Sequence, residues 1–470
     1  MGILDKAGTV ARPGYSRWLI PPAALCVHLS IGQVYSLSVF KTALMSHFEA
    51  SYVQVGWIFS VAILMLGASS AVFGTWMEHN GPRKAMLVSC CCWVSGFVIA
   101  AIGVQTGQLW LVYLGYGGIG GIGLGIGYIS PVSTLMKWFP ERPGLATGIA
   151  IMGFGGGALF GAPLATALLS AYDPGFDSSV LGAAPGGHAV AATFLTLGGI
   201  YLVMMLVGAA LIRIPPGFES DETADHLPAR NGALVRTRQA VRTPAFYLLW
   251  VVLFCNVTAG IGILEEASPM IQDLFRAPDG RTAITAGMAT GFVGLLSLAN
   301  MGGRIGWSSF SDKIGRRWAY VVYLGVGLAM YLALAAGGAA VALFVGFMII
   351  TFYGGGFATI PAYLKDMFGT LEVGAIHGRL LTAWSAAGIC GPLIVNSVLD
   401  HAGGEPGTLT AEAYSPAFLV MVGILAVGFT ANLLVRGVTR RHWDEAQVAR
   451  YEQRLAEDPS LANATWNGGH

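Results

Sequence analysis

Long apolar stretches separated by short polar breaks run along this chain from end to end. A helix needs about 20 mainly apolar residues to cross the hydrocarbon of a bilayer, and twelve stretches come near that length. The pattern therefore predicts a polytopic, all-α membrane protein with twelve spans. The predicted spans are Trp18–Phe40, Val53–Trp76, Ala85–Gly103, Leu109–Met136, Leu145–Ala171, Ala189–Ile212, Phe246–Leu264, Ala283–Phe310, Trp318–Ala336, Ala340–Leu364, Leu380–Leu399 and Phe418–Val435. Only a Gly-Gly break separates the ninth from the tenth, so another split stays open there.

The positions of the positive charges predict the orientation, because loops rich in Lys and Arg stay on the cytoplasmic side. With the N-terminus inside, nearly all of the 26 lysines and arginines lie in cytoplasmic segments. The exceptions are Lys41, Arg276 and Arg281, which fall outside, and Arg304, which lies within the eighth span. We therefore predict cytoplasmic termini. The first apolar run is long enough to span and lacks a small-residue cleavage site after a short core, so we expect no cleavable signal peptide.

Composition narrows the class of protein. Charged residues make up only 11% of the chain, against about 25% in soluble proteins, and the mean hydropathy is +0.64. The net charge of +1 argues against a nucleic-acid partner. All six cysteines lie in predicted spans, and no nucleophile–base pair or metal cluster occurs there. We expect no enzymatic activity, no metal and no cofactor.

Two loops about 230 residues apart repeat one pattern. Each places an acid three residues before a glycine that two basic residues follow, and these are Glu78, Gly81 and Arg83 in one loop and Asp312, Gly315 and Arg316 in the other. The glycine turns the chain tightly and the basic pair holds the loop in the cytoplasm. The repeat predicts two parallel six-helix halves, at residues 1–212 and 244–435. A cytoplasmic central loop at 213–243 and a cytoplasmic tail at 436–470 complete the predicted organisation.

These paired loops, with twelve spans and a long central loop, resemble the major facilitator superfamily. Further motifs resemble its oxalate:formate antiporter family and the monocarboxylate transporter relatives. They are Gly32-Gln33-Val34-Tyr35-Ser36, Gly127-Tyr128-Ile129-Ser130-Pro131, Lys137-Trp138-Phe139-Pro140, Arg304 eight residues before Asp312, and Leu381-Thr382-Ala383. The resemblance implies alternating access, with a carboxylate bound at mid-membrane between the halves.

Arg304 is the main candidate for binding an anion. A cation inside a span costs roughly 2.5–3.5 kcal/mol, so it should face a polar cavity or a partner, and its planar fork suits a carboxylate. An arginine at this place is also the ligand that the resemblance implies. The structural alternative is that Arg304 reaches the nearby cytoplasmic loop or pairs with Asp312.

The chain departs from the resembling families at two places. Trp384 stands where the oxalate antiporter type has a second cation, a lysine. One buried cation would balance a monoanion and poorly compensate a dianion. Asn300, one turn before Arg304, stands where proton-coupled relatives have an aspartate, and asparagine cannot take up a proton. His28 is the remaining mid-membrane group able to titrate near neutral pH, although packing is the more common role of such a histidine.

Other polar and aromatic groups at membrane depth complete the candidate site. Gln33, Tyr35 and Tyr128 can donate hydrogen bonds to an anion or bond between helices. Phe352, Tyr353, Phe357 and Trp384 can form an aromatic wall or pack against other helices or lipid. Glu265 and Glu266, at the outer end of the seventh span, are expected to form a solvated mouth.

We therefore predict a plasma-membrane carrier of small monocarboxylates such as lactate, pyruvate or formate, in a bacterial inner membrane and as a monomer. Arg304 anchors the anion, while the Glu78 and Asp312 loops, with Arg83 and Arg316, stabilise one face. An oxalate/formate exchanger and a non-transporting carboxylate sensor remain as alternatives. Coupling to a proton or a counter-anion, and the direction of transport, stay open.

Overall fold

Most of the described residues are helical. The computed structural model of the chain describes residues 4–178, 184–218, 226–229, 231–275, 284–336, 339–401 and 411–458, and these residues form no β-strand. Helical segments lie at all twelve predicted spans. They are Arg17–Phe48, Tyr52–Asn80, Pro82–Gln105, Leu109–Trp138, Pro143–Tyr172, Gly187–Leu211, Pro244–Glu265, Ala286–Ile314, Arg316–Ala336, Ala339–Phe368, Val373–Leu399 and Ser415–Leu434.

Local sequence explains where several spans begin. Proline opens the third, fifth and seventh spans, a position where its missing N–H costs nothing. The hydroxyls of Ser51, Thr243 and Thr285 accept hydrogen bonds from the first turns of the second, seventh and eighth spans. Such caps satisfy backbone donors that a helix end leaves without partners.

Eleven helices in the described ranges are long and apolar enough to cross a membrane. The eighth span, Ala286–Ile314, is not among them although it has 29 residues. It is less apolar because Asn300, Arg304, Asp312 and Lys313 lie in it. Two of these polar residues, Asn300 and Arg304, belong to the candidate site at the centre.

The first and eleventh spans differ from their predicted bounds. The first continues past Phe40, through a 3₁₀ segment at Gln33–Phe40 and a helix at Lys41–Phe48. The prediction stopped at Phe40 because Lys41 is charged, but that side chain is buried and has an acidic partner. The eleventh begins at Val373 rather than Leu380 and is interrupted at Leu381.

The two repeated loops have the same turn. Gly81 and Gly315 follow the second and eighth spans with φ angles of 90° and 84°, a region that side chains disfavour. The N–H of each glycine donates to the carbonyl four residues earlier, in Met77 and Ser311. The predicted repeat therefore has matching backbone geometry in both halves.

Three pairs of spans form much of the contact between the halves. The second span packs along the eleventh, and the fifth packs along the eighth and tenth. Small residues allow this approach. A Cβ added to Gly378 would lie 2.4 Å from the Ser70 carbonyl oxygen, and one added to Gly148 would lie 2.7 Å from the Arg304 carbonyl oxygen. We call the face that carries the two repeated loops the inner face.

The described part of the central loop binds to the C-terminal half and the tail. The N–H of Val235 donates to the Phe368 carbonyl at 3.0 Å, and the N–H of Thr237 donates to Glu372 at 2.8 Å. Arg236 forms an ion pair with Asp444 of the tail. The described part of the central loop therefore packs against the end of the tenth span as well as linking the halves.

Candidate anion-binding site

Arg304 lies at the contact between the fifth and eighth spans and is completely buried. Its Nε donates to the Asn300 side-chain oxygen at 2.9 Å, and its Nη1 donates to the Ile151 carbonyl at 3.2 Å. Its Nη2 has no hydrogen-bond partner among the described residues. The ion pair of Asp312 forms with Arg316 instead. The guanidinium thus keeps a donor for a further acceptor.

Aromatic rings surround the guanidinium. Its Cζ lies 4.9 Å from the ring centroid of Phe357 and 5.5 Å from that of Phe154, within the range of cation–π attraction. The Trp384 ring lies 4.4 Å from Phe357 and 5.3 Å from Phe154. These rings exclude water from the charge and form an apolar wall beside it.

Two glycines leave room for this arrangement. A Cβ on Gly155 would lie 2.7 Å from the Arg304 Nε, and a Cβ on Gly354 would lie 2.7 Å from the Asn300 side-chain oxygen. Both distances are shorter than real side chains allow. The fifth and tenth spans therefore approach the Asn300–Arg304 pair only because they have no side chain there.

Further buried donors near the centre lack acceptors among the described residues. They include the Asn300 Nδ2, the Gln33 Nε2, the Tyr128 hydroxyl and the Trp384 Nε1. The Tyr128 ring lies 5.6 Å from Trp384, and the Gln33 side-chain oxygen accepts from the Tyr116 hydroxyl at 2.8 Å. A buried donor without an acceptor costs about 1–3 kcal/mol, so this centre favours an added acceptor.

Tyr35 and Tyr353 join the two halves directly. Their hydroxyl oxygens are 2.7 Å apart, and both side chains are buried. Tyr35 also borders a cavity of about 10 Å³ with Ser297 and Asn300, about the space of one water molecule. In this closed arrangement the space beside Asn300 is too small for a carboxylate.

His28 lies within the N-terminal half. Its Nδ1 contacts the Ala150 carbonyl oxygen, and its Nε2 lies 3.2 Å from the Tyr128 carbonyl oxygen. The ring therefore connects the first, fourth and fifth spans through backbone groups, which is the packing arrangement considered for it.

Three residues near the centre were not identified from the sequence. The helix of the fifth span is interrupted at Gly156. Across this break, Ser297 donates to the Gly155 carbonyl at 2.6 Å and accepts from the Leu159 N–H at 3.0 Å. Phe154 contacts Arg304, and His377 lies 5.8 Å from the Tyr128 ring with its Nε2 unpartnered in the described structure. Ser297, Asn300 and Arg304 share one helix face, and this polar stripe could have been found.

Asp312 and Glu78, the acidic residues of the two repeated loops, have different partners at the inner face. Asp312 accepts from the N–H groups of Gly144 and Leu145, both at 2.9 Å, and pairs with Arg316 at 2.5 Å. It therefore holds the eighth span to the beginning of the fifth.

Glu78 accepts from Ser133 and Lys137, both at 2.7 Å and within its own half. A Cβ on Gly374 of the eleventh span would nevertheless lie 2.2 Å from its carboxylate. Arg83 donates to the carbonyls of Ala209 and Ile212 at the end of the sixth span.

The opposite face is closed by a buried ion pair, so the expected solvated mouth is wrong for Glu266. Its carboxylate lies 3.6 Å from the Lys41 Nζ, and the two side chains are 1% and 8% exposed. The prediction placed Glu266 in water because it follows the end of an apolar span. The first span brings Lys41 to it from the other half, which removes the carboxylate from solvent.

Two parallel halves of six spans around a buried polar centre define a secondary transporter of the membrane. Residues 23–361 match the family model of the Major Facilitator Superfamily, and the chain belongs to that superfamily. The predicted fold and family are confirmed.

Similar proteins agree with this assignment. An uncharacterized MFS-type transporter of Escherichia coli (strain K12), YhjX, is 27% identical over 80% of this chain and 86% of its own. The oxalate:formate antiporter of Oxalobacter formigenes is 25% identical over 80% of this chain and 83% of its own. The E. coli fucose:proton symporter FucP superposes with a TM-score of 0.64 at 18% identity, covering 90% of this chain and all of that one, which shows the shared fold.

Proposed function

We propose that this transporter carries small monocarboxylates by alternating access and that Arg304 anchors the anion. The main support for this proposal is that the guanidinium of Arg304 is fully buried and that its Nη2 has no hydrogen-bond partner among the described residues. Such a cation is stable at membrane depth only with compensation, and a carboxylate is the acceptor that its fork fits best. The similarity to an oxalate:formate antiporter supports the same class of substrate.

The count of buried charges favours a monoanion. Trp384 occupies the position where a second cation would balance a dianion, and it is buried against Phe357. One guanidinium then faces one carboxylate, while the aromatic rings contact the short apolar part of the substrate. Formate, lactate and pyruvate have this chemistry.

Gln33, Tyr128 and Trp384 supply the remaining donors in this proposal. Each has a buried donor atom without an acceptor in the described structure. Tyr35 and Tyr353 close the space above Asn300 by bonding to each other. Separation of the halves would break that bond and enlarge the cavity.

Alternating access requires each face to close in turn. Asp312 holds the inner face by its bonds to Gly144 and Leu145, and the Lys41–Glu266 pair holds the opposite face. We propose that the substrate accepts from the Nη2 of Arg304 in an intermediate whose central cavity is larger than in this closed structure. Binding at the centre then favours passage between the two open states.

The test is counterflow in proteoliposomes with labelled formate, lactate, pyruvate and oxalate. The wild-type chain should exchange a monocarboxylate. Arg304→Gln should weaken binding at least about tenfold, because a hydrogen bond to a charged group contributes about 1.5–3 kcal/mol. Arg441→Gln, at an exposed tail residue, is the control and should leave exchange unchanged.

The other outcomes are equally informative. Oxalate exchange as fast as formate exchange would favour the oxalate/formate exchanger. Binding without exchange would identify a sensor. Exchange that survives Arg304→Gln would overturn the role of Arg304.

A further inference from the structure

A second cationic site lies at the inner face, away from Arg304. A cavity of about 420 Å³ opens where the ninth span begins and the tenth and twelfth spans end. Arg316, Arg317 and Arg436 line it, together with the single carboxylate of Asp366. Asp312 also pairs with Arg316 from outside the cavity, so three guanidiniums face two carboxylates and an excess of positive charge remains at this place.

Two of these arginines have unused capacity to bind. Arg317 is exposed and donates from one Nη to the Leu433 carbonyl at 2.6 Å. Arg436 is exposed, and its guanidinium has no hydrogen bond or ion pair to the residues that the structure describes. Arg316 is buried and already pairs with Asp312 and Asp366. The open side of the cavity therefore presents Arg317 and Arg436.

The position of the cavity indicates a ligand that comes from the membrane. Trp318, also in its wall, is 65% exposed at the first turn of an apolar span. Tryptophan at the end of a span is typical of the layer where lipid headgroups lie. Tyr363 forms the buried side of the same cavity.

We propose that this cavity binds the headgroup of an anionic phospholipid. The phosphodiester would accept hydrogen bonds from Arg317 and Arg436, and its acyl chains would lie against the apolar surface beside Trp318. Basic cavities between membrane helices at a predicted cytoplasmic face are suited to such lipids. The site is distinct from the central anion site, and it does not depend on which carboxylate is carried.

A lipid headgroup bound in this cavity would also weaken the ion pairs that hold the inner face closed. Arg316 forms one wall of the cavity and pairs with Asp312, which bonds to the fifth span. A phosphate beside Arg316 would compete with Asp366 and Asp312 for its guanidinium. Anionic lipid would then bias the opening of the inner face.

The test titrates the purified full-length chain with phosphatidylglycerol, phosphatidylcholine or inorganic phosphate, and measures bound lipid by native mass spectrometry and stability by thermal melting. Phosphatidylglycerol should be retained and should raise the melting temperature. Arg317→Gln/Arg436→Gln should weaken its binding about 25-fold, since each arginine near an anionic surface contributes about a factor of five.

Two controls separate this site from general effects of charge and folding. Arg441→Gln removes one exposed cation elsewhere and should leave lipid retention unchanged. Arg436→Gln alone removes no hydrogen bond or ion pair to the described residues and should still weaken retention about fivefold. Equal retention of phosphatidylcholine, equal protection by inorganic phosphate, or unchanged retention in the double variant would overturn the proposal.

Discussion

The Nε of Arg304 donates a hydrogen bond of 2.9 Å to the side-chain oxygen of Asn300, one helical turn earlier in the eighth span. The pair fixes the guanidinium without neutralising it. Because Asn300 carries no charge, the positive charge remains available to a bound anion.

An aspartate at position 300 should compete with the substrate. In Asn300→Asp the carboxylate would pair with Arg304 at neutral pH and weaken monocarboxylate binding about tenfold, as expected for a charged hydrogen bond. Protonation of the aspartate at lower pH would release the guanidinium, so the KM for exchange should fall as the pH falls.

The measurement is the pH dependence of counterflow in wild type, Asn300→Asp and the neutral control Asn300→Ser. The control should gain no such dependence. An Asn300→Asp variant with the wild-type KM at every pH would show that the anion does not bind beside this pair.

A second cation at position 384 should change the selectivity between monoanions and dianions. Trp384 is fully buried with its ring 4.4 Å from Phe357, so Trp384→Lys places a charge at the wall of the site. Binding of oxalate should rise relative to formate. The absolute activity should fall, because a buried lysine costs several kcal/mol unless an anion balances it.

Competition between the two anions in counterflow measures this ratio. Trp384→Met removes the ring without adding charge and provides the reference. If the ratio of oxalate to formate binding is the same in the lysine and methionine variants, the number of buried cations does not set the selectivity.

A methyl group at Gly148 should disturb the closed inner face. Its Cβ would lie 2.3 Å from the Ser308 hydroxyl oxygen and 2.7 Å from the Arg304 carbonyl oxygen. Overpacking of this kind costs about 1–3 kcal/mol, so Gly148→Ala should lower the melting temperature. Gly306, also in the eighth span, has open space around its Cβ position, and alanine there should be neutral or stabilising by up to about 1 kcal/mol.

Thermal melting of the two variants in one detergent compares them directly. A lower melting temperature only in Gly148→Ala is the expected result. Equal shifts in both would mean that the fifth and eighth spans do not pack tightly at Gly148.

Features that depend on single residues or short patterns could be predicted from the sequence. Arg304 stands out because it is a charge inside an apolar run, and the repeated acid and glycine positions revealed the two halves. Asn300 was found by its helical spacing from Arg304.

The remaining parts of the site depend on how distant spans meet. Phe154 is one phenylalanine among many in apolar stretches, and only the crossing of the fifth and eighth spans brings it to Arg304. His377 precedes the predicted start of its span, which the charge at Arg379 delayed. From the sequence alone, Lys41 and Glu266 are each expected at a solvated helix end, and only the meeting of the first span with the end of the seventh brings the two side chains together.

The Lys41–Glu266 pair should control the opening of the face opposite the repeated loops. Both side chains are buried and they belong to different halves. Removing one partner of a buried pair costs about 3–5 kcal/mol, so Lys41→Gln and Glu266→Gln should each favour the open face. Exchanging the charges in Lys41→Glu/Glu266→Lys should restore closure, because the attraction between the halves returns.

Ser38 borders a cavity together with Lys41, so a cysteine placed at Ser38 can report this opening. The measurement is the rate at which a membrane-impermeant thiol reagent labels that cysteine, after labelling of the parent chain is subtracted. Both single variants should label faster, and the exchanged pair should return towards the wild-type rate. Arg17→Gln is the matched control, since the Arg17–Glu141 pair is 43% and 36% exposed and such surface pairs contribute about 0–1 kcal/mol. If the single variants label at the wild-type rate, or the exchanged pair labels as fast as they do, the attraction between Lys41 and Glu266 does not hold this face closed.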